Sequence, residues 1–254
     1  MELAFVVAGL AVGILVGMTG VGGGSIMTPL LMSGFGLPAN IAVGTDLLYA
    51  GSTKLGATAT HTRLGHVDWP LVGWLCAGSL PAAGIALYTL HALHTDIAAL
   101  KTVLTTALGV ALIATAASLI FRERLIGWIR RHRAQREPGA AAGVAVGATL
   151  GTLVALSSIG AGALAVLAIS VLRPYWPATR VVGTDLAHAL PLALFAGAGH
   201  VMLGNVDWGI LALLVAGSIP GAYLGSRLSA RLPETLLRRI LGVVLLLIGG
   251  KFVF

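Results

Sequence analysis

The sequence predicts an all-α protein that crosses a membrane several times, and three observations lead to this fold class. First, 57% of the 254 residues are hydrophobic and only 10% are charged, whereas soluble domains have roughly 25% charged residues. Second, several apolar runs reach the length of about 20 residues that a membrane-spanning helix needs. Third, the chain repeats itself. The apolar runs cover residues 3–34, 39–61, 69–90, 97–121, 140–172, 177–203, 207–228 and 234–254.

The internal repeat has a constant offset of 139 residues. The segment "LPANIAVGTDL" that begins at Leu37 returns as "WPATRVVGTDL" at Trp176. In the same way "GHVDW" returns as "GNVDW", and "AGSLP" as "AGSIP". We therefore predict two homologous transmembrane repeats, at 1–121 and 140–254, joined by a basic cytoplasmic linker at 122–139.

The first apolar run of each repeat is interrupted by small residues. "GVGGGS" ends at Ser25, and "SSIGAGA" ends at Ala163 at the matching position of the second repeat. Backbone that is not helical at membrane depth is tolerated only where protein buries it or where it lines a cavity. Each interrupted run is interpreted as a re-entrant hairpin, followed by three transmembrane helices. A kink within one full span is the alternative.

The arginines favour the hairpin interpretation. If both interrupted runs return to their own side, the two halves are inverted and all thirteen arginines lie on one side of the membrane. Cytoplasmic loops carry such an excess of positive charge. This distribution explains the high isoelectric point, about 10.3, and makes nucleic acid an unexpected partner.

The two breaks are the predicted substrate-binding regions. Inverted-repeat transporters place broken helices near the membrane midplane, and a helix N-terminus attracts anions through its free N–H groups and dipole. Lys54 adds a positive charge that either contacts substrate or pairs structurally with Asp46, two turns earlier. The predicted substrate-binding residues are Gly22, Gly23, Gly24, Ser25, Thr45, Lys54, Ser158, Gly160, Gly162 and Thr184.

Three further ionisable residues fall within predicted spans, where such residues are costly and suggest function. Asp46 and Asp185 occupy the same repeat position, and His188 lies one helical turn after Asp185. They are predicted either to carry protons or to hold the hairpins in place by hydrogen bonds. By contrast, Asp68 and Asp207 are predicted to cap the helices that follow them.

No pattern typical of an enzyme or a metal site is present. The single cysteine, Cys76, rules out a site with several cysteine ligands, and "GVGGGS" lacks the lysine of a P-loop. We therefore predict no catalytic residue, no metal and no cofactor.

Several of these segments together resemble the sulfite exporter TauE/SafE family, also called the 4-toluene sulfonate uptake permeases or probable membrane transporter proteins. They are "GMTGVGGGSIMTPLL", "LPANIAVGTDLL", "RLGHVDW" and "GSLPAAGIAL", with their second-half counterparts. The resemblance covers nearly the whole chain except the linker. At Asp46 and Asp185 the sequence departs from the family, which usually has a small polar residue there.

The resemblance implies a multi-pass protein of the bacterial inner membrane that carries sulfite-like oxyanions or organosulfonates. We therefore predict a secondary transporter that works by alternating access and couples to protons through its aspartates. A passive anion channel, an intramembrane enzyme and a structural membrane subunit are the alternatives. The expected partners are a small anion and the lipid bilayer, and a homodimer is left open.

Overall fold

The fold consists of helices joined by short turns. The computed structural model describes residues 2–19, 24–93, 97–132, 138–160, 162–229 and 234–253, and these contain ten helices and no strand. The helices are α1 (Glu2–Thr19), α2 (Gly24–Ser33), α3 (Ala39–Arg63), α4 (Trp69–Ala92), α5 (Ile97–His132), α6 (Ala140–Ser157), α7 (Ala163–Leu172), α8 (Ala178–Met202), α9 (Trp208–Ser229) and α10 (Glu234–Val253).

The prediction of an all-α polytopic membrane fold is confirmed. Five of the described helices, α4, α5, α6, α8 and α9, are long and apolar enough to cross a membrane. Each half has the same order: a long helix, a break, a ten-residue helix and three long helices. Helix α5 continues beyond Phe121 to His132, so the basic segment begins inside a helix.

Glycines bring helices of the two halves into backbone contact. Gly9 and Gly13 of α1 lie against Leu214 and Ser218 of α9, so these two helices run in the same direction. Gly147 and Gly151 of α6 lie in the same way against Leu75 and Ser79 of α4. At each of these glycines a Cβ atom would overlap backbone of the facing helix, as in the small-residue packing typical of membrane helices.

Helices that correspond in the two halves run in opposite directions. Along α3 and α8, Gly51 faces Leu194, and Thr58 donates a hydrogen bond to the Leu186 carbonyl oxygen, so residue numbers rise along one helix as they fall along the other. Helices α5 and α10 are antiparallel by the same criterion, because Gly242 faces Ile120 and Gly249 faces Leu112. Helix α4 is parallel to α8, and α9 is parallel to α3.

These directions place the described arginines at one end of the bundle, which we call the arginine end. It contains the C-terminal ends of α3, α5 and α9 and the N-terminal end of α8. There, the Arg130 guanidinium donates to the Pro174 carbonyl oxygen at 2.6 Å, and Arg180 pairs with Asp68 at 2.6 Å. Lys101 and Lys251 lie at the opposite end.

Helix contact through glycine predicts a large difference between two substitutions on α4. A Cβ at Gly78 would overlap the Val144 carbonyl oxygen, whereas a Cβ at Gly73 would meet no atom within 4 Å. We expect Gly78→Ala to cost about 1–3 kcal/mol, the usual range for overpacking. Gly73→Ala is its matched control and should leave stability unchanged. Thermal unfolding of both purified variants in detergent measures this, and equal stability would contradict the packing.

Candidate functional site

The "GTD" motif of each half holds a turn of the other half. In α3, Gly44 lies directly against the Asn205 carbonyl oxygen, where a Cβ atom would overlap it. The neighbouring Thr45 hydroxyl accepts a hydrogen bond from the Asp207 backbone N–H at 3.0 Å. Asp207 in turn accepts from the Ile210 N–H at 2.9 Å and so caps α9.

The same arrangement occurs with the halves exchanged. Gly183 of α8 lies against His66, and the Thr184 hydroxyl accepts from the Asp68 N–H at 3.1 Å. Asp68 accepts from the Leu71 N–H at 3.0 Å and caps α4. The predicted caps are therefore confirmed, and the two motifs that repeat most clearly in the sequence fit one another across the halves.

Thr45 and Thr184 thus have a structural partner each. Because a hydroxyl that accepts one hydrogen bond can still donate another, their role toward substrate stays a prediction. His200, near the C-terminal end of α8, is fully buried, and its Nε2 lies 2.9 Å from the Ala155 carbonyl oxygen. A buried ring of this kind ties α8 to α6.

The second break lies between α6 and α7. Helix α6 ends at Ser157, and Ser158 adopts the left-handed conformation with φ 58°. Gly160 has φ 124°, a conformation that residues with a Cβ rarely adopt. Gly162 precedes α7 as its N-cap without a side-chain hydrogen bond. At the start of α7 the Ala165 N–H donates to the Gly160 carbonyl oxygen at 3.1 Å, which leaves the N–H groups of Ala163 and Leu164 as the ones without a partner within the helix.

The first break is described only at its end. Gly22 and Gly23 lie outside the described residues, and α2 begins at Gly24. Ser25, the next residue, is buried. Both short helices therefore begin where the sequence predicts a break.

Asp46 joins the first half to the second break. Its Oδ2 accepts a hydrogen bond from the Thr28 hydroxyl of α2 at 2.5 Å. The Ser158 hydroxyl lies next to the same carboxyl group, but neither Ser158 Oγ nor Asp46 Oδ1 has a hydrogen bond of ordinary geometry. Both side chains are buried. This leaves two buried polar atoms, from different halves, next to one another beside the second break.

Lys54 is buried between the two aspartates along the bundle. Its side chain is only 6% exposed, and it interacts electrostatically with Asp185 and, more weakly, with Asp46. Among the described residues no carboxyl oxygen lies within 4.0 Å of its amine. The Lys54 amine thus interacts electrostatically with both carboxyl groups and forms an ion pair with neither.

Asp185 and His188, three residues apart on α8, are two further buried polar residues. His188 Nε2 lies 2.9 Å from the Ser79 hydroxyl of α4. Its Nδ1 and the Asp185 Oδ1 are both buried without a hydrogen-bond partner among the described residues. Ser79 belongs to the repeated "AGSLP", and Thr28 lies beyond the glycine-rich break. Neither was predicted as a site residue, although the repeat of "AGS" was a usable signal for Ser79.

Comparison with known proteins decides the family. The sequence model of the sulfite exporter TauE/SafE family matches residues 5–252. The chain belongs to the sulfite exporter TauE/SafE family. It is 38% identical to the probable membrane transporter protein YjnA of Bacillus subtilis, with 100% of both chains covered. It is 24% identical to the probable membrane transporter protein YunE of the same organism, over 98% of this chain and 96% of the relative.

A relative from another organism has the same description. The chain is 27% identical to a probable membrane transporter protein of Haemophilus influenzae, over 92% of this chain and 87% of the relative. No solved structure matches. The TauE/SafE protein described here is therefore a multi-pass membrane protein of a transporter family, as the sequence predicts, and the family indicates transport rather than catalysis.

The hydrogen bond from the turn of the first half to Thr184 of the second half predicts how Thr184 substitutions affect stability. Thr184→Val leaves the partly buried Asp68 N–H without its acceptor and should lower the free energy of unfolding by about 1 kcal/mol. Thr184→Ser keeps the acceptor and is the matched control. Thermal unfolding in detergent measures the difference. A valine variant as stable as the wild type but unable to transport would instead assign the hydroxyl to substrate.

Proposed function

We propose that this TauE/SafE protein is a secondary transporter of small oxyanions, most directly sulfite-like ions or organosulfonates. Its two opposed halves would move so that the binding site opens in turn to each side of the membrane. Substrate movement would be coupled to protons. The observation that carries the proposal is Lys54, a buried amine without an ion pair inside a protein of a transporter family. The sulfite in the family's description supports the choice of substrate.

A buried charged amine without a direct ion pair is costly, because it has lost its water and the two nearby carboxyl groups do not contact it. An oxyanion in contact with Lys54 would supply a direct partner. In the second break the Ser158 hydroxyl and the N–H groups at the start of α7 are further donors that suit an anion, and the helix dipole there also favours negative charge. The groups of the second break and of α3 are thus complementary to a small oxyanion.

The two aspartates constrain this site. A carboxylate next to a bound anion would repel it, so Asp46 and Asp185 must be neutralised or paired while substrate is present. Asp46 already accepts a short hydrogen bond from Thr28, and Lys54 interacts with both carboxyl groups. Coupling to protons follows if one carboxyl group binds a proton together with the anion.

The opposed directions of corresponding helices support inverted halves and alternating access. In such proteins one half moves against the other while the site stays between them. The arginine end would face the cytoplasm, because positive charge accumulates there, and the proposed location is the bacterial inner membrane. A passive anion channel remains the alternative. A channel gives no counterflow, whereas a carrier does.

The role of Lys54 is tested by sulfite counterflow in proteoliposomes. Vesicles preloaded with unlabelled sulfite should accumulate labelled sulfite, whereas vesicles preloaded with chloride or acetate should not. We expect Lys54→Gln to raise the half-saturating sulfite concentration at least tenfold, about 1.4 kcal/mol of binding free energy. Lys54→Arg should retain part of the activity because it keeps the charge.

The matched control for this experiment is Lys101→Gln. Lys101 is exposed at the end of the bundle opposite the arginines and should transport like the wild type. Folding of each variant is checked by its elution as a single species in detergent. Wild-type counterflow by a folded Lys54→Gln variant would refute the anion site, and wild-type flux without counterflow would favour a channel.

A further inference from the structure

The two buried polar groups of the bundle are related by the internal repeat. In the first half, Asp46 is followed one turn later by Tyr49, whose hydroxyl lies next to Ser218 of α9. In the second half, Asp185 is followed one turn later by His188, whose ring lies 2.9 Å from Ser79 of α4. Both serines come from the repeated "AGS" segment of the other half.

We call these groups the tyrosine triad (Asp46, Tyr49, Ser218) and the histidine triad (Asp185, His188, Ser79). All six side chains are buried. The offset of 139 residues superimposes each member on its counterpart. The aspartates and serines are identical, so the two triads differ at one position only. That position exchanges a phenol for an imidazole.

This difference separates the chemistry of the two triads. Histidine gains and loses a proton near neutral pH, whereas tyrosine keeps its proton until far into the alkaline range. Both triads contain buried polar atoms without a hydrogen-bond partner among the described residues: His188 Nδ1 and Asp185 Oδ1 in one, the Tyr49 hydroxyl and Asp46 Oδ1 in the other. The carboxyl groups differ in their surroundings, because Asp46 Oδ2 accepts a hydrogen bond from Thr28, whereas the counterpart of Thr28 in the second half is Leu167, which has no hydroxyl. Asp185 and His188, three residues apart, share one helix face.

We propose that the histidine triad is the proton site of transport and that the tyrosine triad is its structural counterpart. This inference rests on the proposed transport function and assigns its coupling site. One proton enters from the water on the side to which the site is open, binds between Asp185 and His188, and leaves on the other side. No other bond forms or breaks.

The charges around the triad agree with one bound proton. Asp46, Asp185 and Lys54 together leave one uncompensated negative charge in the bundle interior when both carboxyl groups are ionised, and a proton removes it. Helices α6 and α7, which pack on α8, have no ionisable side chain. The other titratable or charged groups on the elements around the triad are Asp46, Tyr49, Lys54, His61 and Arg63 of α3, Cys76, Tyr88 and His91 of α4, Asp68 before α4, and Arg180 and His200 of α8 itself.

Two transport readouts test the assignment in the full-length protein in proteoliposomes. One is sulfite counterflow, which needs no net proton movement. The other is uptake of labelled sulfite driven by an imposed pH gradient. We expect the ratio of gradient-driven uptake to counterflow to fall at least tenfold in Asp185→Asn and in His188→Tyr. The second variant gives the histidine triad the same three residue types as the tyrosine triad.

The matched variants are Asp46→Asn and Tyr49→Phe, for which the ratio should stay within about twofold of wild type. An equal loss of the ratio in Asp46→Asn and Asp185→Asn would overturn the assignment. So would an unchanged ratio in both histidine-triad variants. Absence of counterflow in the wild type would instead refute the proposed function itself, which keeps the two failures apart.

A spectroscopic readout tests the proton site without any substrate. Infrared difference spectra of the purified protein, recorded across neutral pH, should contain the carbonyl stretch of a buried protonated carboxyl group. That band should disappear in Asp185→Asn and persist in Asp46→Asn. The reverse pattern, or a band present in both variants, would overturn the proposal whatever the transport assays show.

Discussion

The structure depends on the fit between the "GTD" motif of each half and the "VDW" turn of the other. Gly44 and Gly183 let the foreign turn lie against the helix backbone, and Thr45 and Thr184 accept a backbone N–H from it. In an apolar environment a backbone N–H without an acceptor is costly. Each half therefore completes the helix caps of the other, and α3 and α8 come together at the centre of the bundle.

This arrangement explains why buried polar atoms without partners gather at the centre. Asp46 and Asp185 follow the two threonines directly, so the contact that joins the halves also buries both carboxyl groups. The helices around them correspond in the two halves, but several side chains differ. Thr28, which bonds Asp46, has Leu167 as its counterpart; Lys54 has Ala193, and His188 has Tyr49. We attribute the anion site to Lys54 and the proton site to His188, two residues that differ from their counterparts in the other half.

Much of the fold could be predicted because its signals are local. Apolar length gave the helices, the glycines of "SSIGAGA" gave the break before α7, and Asp68 and Asp207 gave the caps. The contacts between halves could not be predicted from one sequence, because they depend on how helices distant in the chain pack. Ser158 next to Asp46 is the clearest case. Thr28 gave no signal in the sequence, because a threonine in an apolar helix often bonds only to its own helix backbone.

The most direct test of the account is the position of a bound oxyanion. Selenite has the shape and charge of sulfite, and its selenium atom can be located by anomalous X-ray scattering from crystals of the protein. The account predicts a selenium peak within contact distance of Lys54, between α3 and the start of α7. A fully occupied peak elsewhere in the bundle, with Lys54 paired to an aspartate, would contradict it.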